Sequence, residues 1–96
     1  MYYKLNEDGS ISQCSFAECF GTDNSVISTR YKELRISTIF LRTNHDWALL
    51  GPPLFFETMI FKGTEALDYM MRYSTYEEAI AGHEEAIDWV KYHFGQ

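Results

Sequence analysis

The chain has no Gly-rich phosphate loop, no nucleophile elbow and no metal-ligand spacing, so the common local signatures of catalysis are missing from its 96 residues. No apolar run approaches the eighteen residues of a membrane span, and residues 1–8 lack the cationic and apolar regions of a signal peptide. Bases are few: eight against fourteen acids, a net charge of −6, which opposes tracking of a nucleic-acid backbone and favours solubility. A soluble, intracellular protein is expected. The two cysteines, Cys14 and Cys19, stand in neither a Cys-x-x-Cys nor a zinc pattern, and a reducing compartment would keep them as small core residues.

What the chain does have is apolar bulk. Hydrophobic residues make up 46% and aromatics 17%, enough for one small domain over residues 1–96 and more aromatic surface than so small a core encloses. The surplus points to a pocket or a protein contact, with a homodimer as the simplest form.

Strand-like composition recurs at Tyr2 to Leu5, Val26 to Lys32, Leu34 to Arg42, Leu54 to Phe61 and Tyr69 to Tyr73. Asn6 to Gly9 and Lys62 to Glu65 read as turns, and Ala66 to Asp68 is ambiguous. A short helix is expected from an N-cap at Ser12, with Ile11 and Phe16 as a hydrophobic staple and Gly21 as terminator. A long C-terminal helix follows Ser74 or Thr75, each with a Glu three residues on. Its apolar stripe is Tyr76, Ala79, Ile80, Ile87, Val90 and Phe94. The expected order, β-α-β-β-β-β-α, gives an α+β domain: an antiparallel sheet of four or five strands with both helices packed on it. Helices on one face would leave Phe55, Met59 and Phe61 needing a partner on the other.

Within the Phe-rich strand, Glu57 is the residue that asks for an explanation, because an unpaired buried carboxylate costs several kcal/mol. Arg72 and His83 are its expected partners, as a structural ion pair or as part of a binding site. Thr58 faces the opposite side. His83 projects from the packed stripe, and Gly82 beside it implies close approach by a strand, a ligand or another chain. In the loop after the second long strand, Asn44, His45, Asp46 and Trp47 read either as a binding lip, Trp47 stacking on a planar ligand, or as a turn with Trp47 capping the end of the sheet. Trp89 and Tyr92 lie off the stripe, and with Glu84 and Glu85 they offer an interface for a protein partner. No catalytic residue, cofactor or metal site is assigned.

Ile36-Ser37-Thr38-Ile39-Phe40-Leu41, His45, Gly51-Pro52-Pro53 through Phe61, and Arg72-Tyr73-Ser74-Thr75 running to Ala81-Gly82-His83 resemble small proteins of tailed bacteriophages and prophages, over roughly residues 34–90. Where that pattern has Gly after Leu41 and Asp before the His, this chain has Arg42 and Asn44, which weakens any role for a carboxylate there. The resemblance implies a non-enzymatic accessory protein of the host cytoplasm, with counter-defence as the leading role. One form is a homodimer sequestering a nucleotide-like immune signal through His45, Trp47, Glu57, Thr58, Arg72 and His83. Another is an inhibitor that binds a host or defence protein through its acidic, aromatic C-terminal helix. A virion or assembly component is the third.

Overall fold

The computed structural model describes residues 1–19, 23–44 and 51–95. The N-terminal strand β1 (Tyr2–Leu5) pairs antiparallel with β2 (Ile11–Cys14), Tyr2 opposite Cys14 and Leu5 opposite Ile11. Their turn closes through Asn6 N donating to Ser10 O at 2.8 Å, with Gly9 at φ 89°, a conformation open to glycine without cost.

Residues 11–14 are therefore strand, which corrects the helix expected from Ser12. The Ser12 hydroxyl accepts from Asn6 Nδ2 at 2.8 Å rather than capping a helix. A single helical turn, α1 (Phe16–Cys19), starts at Ser15 with a reciprocal cap: Glu18 N donates to Ser15 Oγ at 3.3 Å and Ser15 N to Glu18 Oε1 at 3.2 Å. Phe16 is 60% exposed and stands edge-on to Tyr2, so the staple with Ile11 does not form. The expected terminator Gly21 lies outside the described residues. Cys14 and Cys19 are disulfide-bonded, Cα atoms 6.3 Å apart, which corrects the reading of both as reduced; Cys19 is a buried core residue as expected.

The main sheet is an antiparallel meander of β3 (Ser25–Tyr31), β4 (Leu34–Phe40), β5 (Phe56–Lys62) and β6 (Glu65–Tyr73), in that spatial order. Two-residue turns join β3 to β4 and β5 to β6, and each opens with a positive φ, Lys32 at 55° and Gly63 at 63°. β4 stops at Phe40, short of the expected Arg42, which takes φ 65°. β6 extends back through Ala66 to Asp68. β4 is central, as its two apolar faces imply: Leu34, Ile36, Thr38 and Phe40 are buried and the residues between them half-buried.

The C-terminal helix α2 (Tyr76–Phe94) is capped by Thr75, not Ser74, with the Thr75 hydroxyl accepting from Glu78 N and the Glu78 carboxylate from Thr75 N, both at 3.1 Å. It buries Ala79, Gly82, His83, Ala86 and Val90 against one face of the sheet, while Ile80 and Ile87 flank that line half-buried and Phe94 is 42% exposed. Ala86 and Val90 meet Leu34, Ile36 and Ile60; Ala79 meets Phe40, Phe55 and Phe56, which the β1–β2 hairpin also covers through Tyr3, Leu5 and Ile11. The result is an α+β fold with its layers on one face of the main sheet.

Gly82 has a physical cause. A Cβ there would overlap the phenol ring of Tyr73 on β6, so the close approach inferred from the sequence is made by a strand side chain. In an exposed helix interior Gly to Ala gains about 1 kcal/mol, but overpacking a core costs about 1–3 kcal/mol. Gly82→Ala is therefore expected to lower the denaturant midpoint, and adding Tyr73→Leu to recover most of the loss. An unchanged or raised midpoint for Gly82→Ala alone would contradict this packing.

Candidate functional site

Adjacent residues in a strand face opposite sides, and β5 uses this to bury two polar groups in two different places. Thr58 points at α2 and Glu57 points away from it. Both are buried, at 0% and 8% exposure.

On the α2 side Thr58 lies directly across from Thr38 of β4, and their hydroxyls are hydrogen-bonded at 2.6 Å. Thr38 continues to His83 Nδ1 at 2.7 Å, and His83 Nε2 reaches Thr29 of β3 at 2.9 Å. Three strands are thus tied to the middle of the helix. A neutral imidazole suits the chain, since one ring nitrogen donates while the other accepts. Burial lowers the His83 pKa, partly offset by Glu84. Tyr73 Oη is buried beside Thr58 without a well-formed hydrogen bond, and burial raises its phenol pKa, partly offset by Thr58. His83 is 0% exposed and Thr38 and Thr58 likewise. The group is closed to a solvent-borne ligand and acts as a clamp.

On the opposite face Glu57 pairs with Arg72, its direct cross-strand partner on β6, Arg72 Nε donating to Glu57 Oε2 at 3.1 Å. The expected Glu57–Arg72 pair is present. The expected Glu57–His83 contact is not, because the sheet lies between them.

Register lays out the rest of that face, which no described residue covers, in three rows. Ser25, Ile39, Glu57 and Arg72 form the first; Ser28, Ser37, Met59 and Met70 the second; Arg30, Arg35, Phe61 and Ala66 the third. The first and third rows are roughly 14 Å apart at the rise of an antiparallel strand. A hollow of about 60 Å³ lies among Ser37, Ile39, Glu57, Met59 and Phe61. Met70 is 51% exposed. Chemically the face offers an apolar bed with charged groups at both ends. Sequence reading singled out Glu57 and Arg72, and Phe55, Met59 and Phe61 as residues needing cover; Phe55 is instead buried in the core with Phe40, Phe56 and Ala79, and Ile39, Met70, Arg30 and Arg35 follow only once strand register is known.

Of the other expected residues, His45, Asp46 and Trp47 lie outside the described residues. Glu84 and Glu85 are exposed and Tyr92 is 82% exposed, whereas Trp89 is half-buried, its ring 5.0 Å from that of Tyr69. Among the described residues no three His, Cys, Asp or Glu side chains cluster as metal ligands, and no helix is long and apolar enough to cross a membrane.

The His83 clamp sets a pH dependence. A folded pKa below the unfolded value means the unfolded chain binds the extra proton, so this contribution is complete above about pH 6.5 and declines as the pH falls from there to the lowered folded value. The urea midpoint is expected to drop across that window in the wild type and to lose that slope in His83→Gln. A His83 ring that titrates at its ordinary value in the native state, followed by NMR, would contradict it.

Compared with protein-family models, with curated proteins and with solved structures, the chain gives no match.

Proposed function

We propose that this chain is a non-enzymatic binding protein that acts by sequestration, with the uncovered face of its main sheet as the binding surface and a second copy of the chain closing over it. The observation that carries this reading is the makeup of that face. It holds a buried carboxylate, Glu57, neutralised by Arg72, within an apolar bed of Ile39, Met59, Phe61 and Met70. Sheets covered on one side normally show polar residues on the other, and here the pattern is broken at the centre.

The hollow on this face, about 60 Å³, is far smaller than the roughly 300–1,000 Å³ of sites that enclose small molecules. Enclosure therefore calls for a second wall. A two-fold dimer supplies one from the same surface, and a polar ligand held between the copies gives charged groups at both ends something to meet. The resemblance to phage proteins supplies the setting: a counter-defence protein of the host cytoplasm that withdraws a nucleotide-like immune signal.

A second reading rests on α2. Its outer side exposes Glu77, Glu84, Glu85 and Asp88, and Tyr92 at 82% exposure stands close by in sequence, a combination suited to a basic protein surface. In that case the chain inhibits a host or defence protein.

Native mass spectrometry and thermal denaturation of untreated protein separate the two. Sequestration is expected to show a dimer that retains a small molecule or gains thermal stability with one, and Glu57→Gln and Arg72→Ala are expected to remove that gain while circular dichroism shows them folded. A monomer indifferent to nucleotides that forms a defence-protein complex, lost on charge reversal at Glu84 and Glu85, would overturn sequestration in favour of the helix.

A further inference from the structure

Arg30 and Arg35 are direct cross-strand partners in β3 and β4. Both face away from α2, because Thr29 reaches His83 and Leu34 and Ile36 fill the core on the other side. Like charges set opposite each other on one face repel. In this acidic chain Lys4, Lys62 and Arg72 each lie within 3.7 Å of a carboxylate oxygen, at Glu18, Glu33 and Glu57. Among the described residues Arg30 and Arg35 form no ion pair of that kind. Arg35 instead lies over the ring of Phe61, 4.6 Å from its centre, and Arg30 is exposed.

We infer that Arg30, Arg35 and Phe61 form an anion subsite that takes the phosphate of a nucleoside monophosphate unit, whose base lies along Met59 toward the Glu57–Arg72 pair. This rests on the sequestration reading and assigns it a ligand class and an orientation. Each guanidinium fork donates two parallel N–H bonds to phosphate oxygens, and two forks on neighbouring strands span one phosphate group, turning a repulsive pair into a shared attraction. Arg35 is held by its stacking on Phe61, so less freedom is lost on binding. Ser28 and Ser37, the cross-strand pair in the next row, place hydroxyls between the phosphate end and the apolar bed, where a ribose would lie. The roughly 14 Å along the strands from the Arg30–Arg35 row to Glu57 is comparable to the length of a nucleotide laid flat.

The test is an NMR titration of the full chain with adenosine monophosphate, with adenosine and inorganic phosphate as separate arms. Adenosine monophosphate is expected to shift the Arg30 and Arg35 Nε–H and the Phe61 ring signals and to bind at least tenfold more tightly than either half. Arg35→Gln is expected to weaken it at least tenfold. Arg30→Glu is expected to abolish binding while raising the melting temperature, since it converts a repelling cross-strand pair into an attracting one, so loss of binding there is not loss of fold. No shift at millimolar adenosine monophosphate, or a shift unaltered in both variants, overturns the subsite. Inorganic phosphate binding as tightly as the nucleotide overturns the nucleoside part. A ligand retained by wild type and lost in Arg72→Ala but not in the Arg30 or Arg35 variants overturns this subsite while the sequestration reading stands.

Discussion

Two neighbouring polar residues on one buried strand, Glu57 and Thr58, constrain everything else. Because they must face opposite sides of the sheet, each needs its own partners, and a shift of register by one residue would put each on the wrong side. Thr58 finds Thr38 and through it His83, which ties the strand to α2. Glu57 finds Arg72 directly across on β6. Breaking either arrangement strands a buried polar group, which costs about 1–3 kcal/mol, so the two sets of bonds together select one strand order and one position for the helix.

That selection divides the molecule into a packed side and a side that no described residue covers. On the packed side Ala79, Gly82 and Ala86 let α2 come close enough for His83 to reach the threonines, with Tyr73 filling the space that Gly82 leaves. On the other side the sheet keeps apolar residues at its centre with nothing from this chain described over them. Charge follows the same division. The exposed acids of α2 lie at the back, and Arg30, Arg35 and Arg72 lie on the uncovered face, so a chain of net charge −6 presents an arginine-bearing surface in one direction. With Arg72 paired to Glu57, among the described residues Arg30 and Arg35 carry the unpaired positive charge of that face, which is what the proposed anionic ligand rests on.

Much of the fold was legible because its signals are local. The Thr75 to Glu78 cap, the Gly63 turn and the β-branched run of β4 each act within a few residues. Residues 11–19 were not, because the choice there is non-local: Ser12 and Ser15 are both plausible caps, and only pairing with Tyr2 to Leu5 draws Ile11 to Cys14 into a strand. The Glu57–Arg72 pair was legible from the cost of a buried carboxylate. His83 does not join that pair, because α2 packs on the Thr58 face, and alternation alone does not say which face the helix takes. Arg30 and Arg35 stay invisible in the sequence until the two-residue turn at Lys32 and Glu33 sets their register.

Adjacent methionines on β6 provide an internal control for whether the uncovered face is the working one. Met70 lies on that face and Met71 on the helix side, and the two are similarly open in the single chain, at 51% and 47% exposure. The most direct measurement is the rate of oxidation of each methionine in untreated protein, compared at high and at low protein concentration. Protection of Met70 and Met59 relative to Met71 is the expected result, and Met70 and Met71 oxidising at equal rates would contradict it.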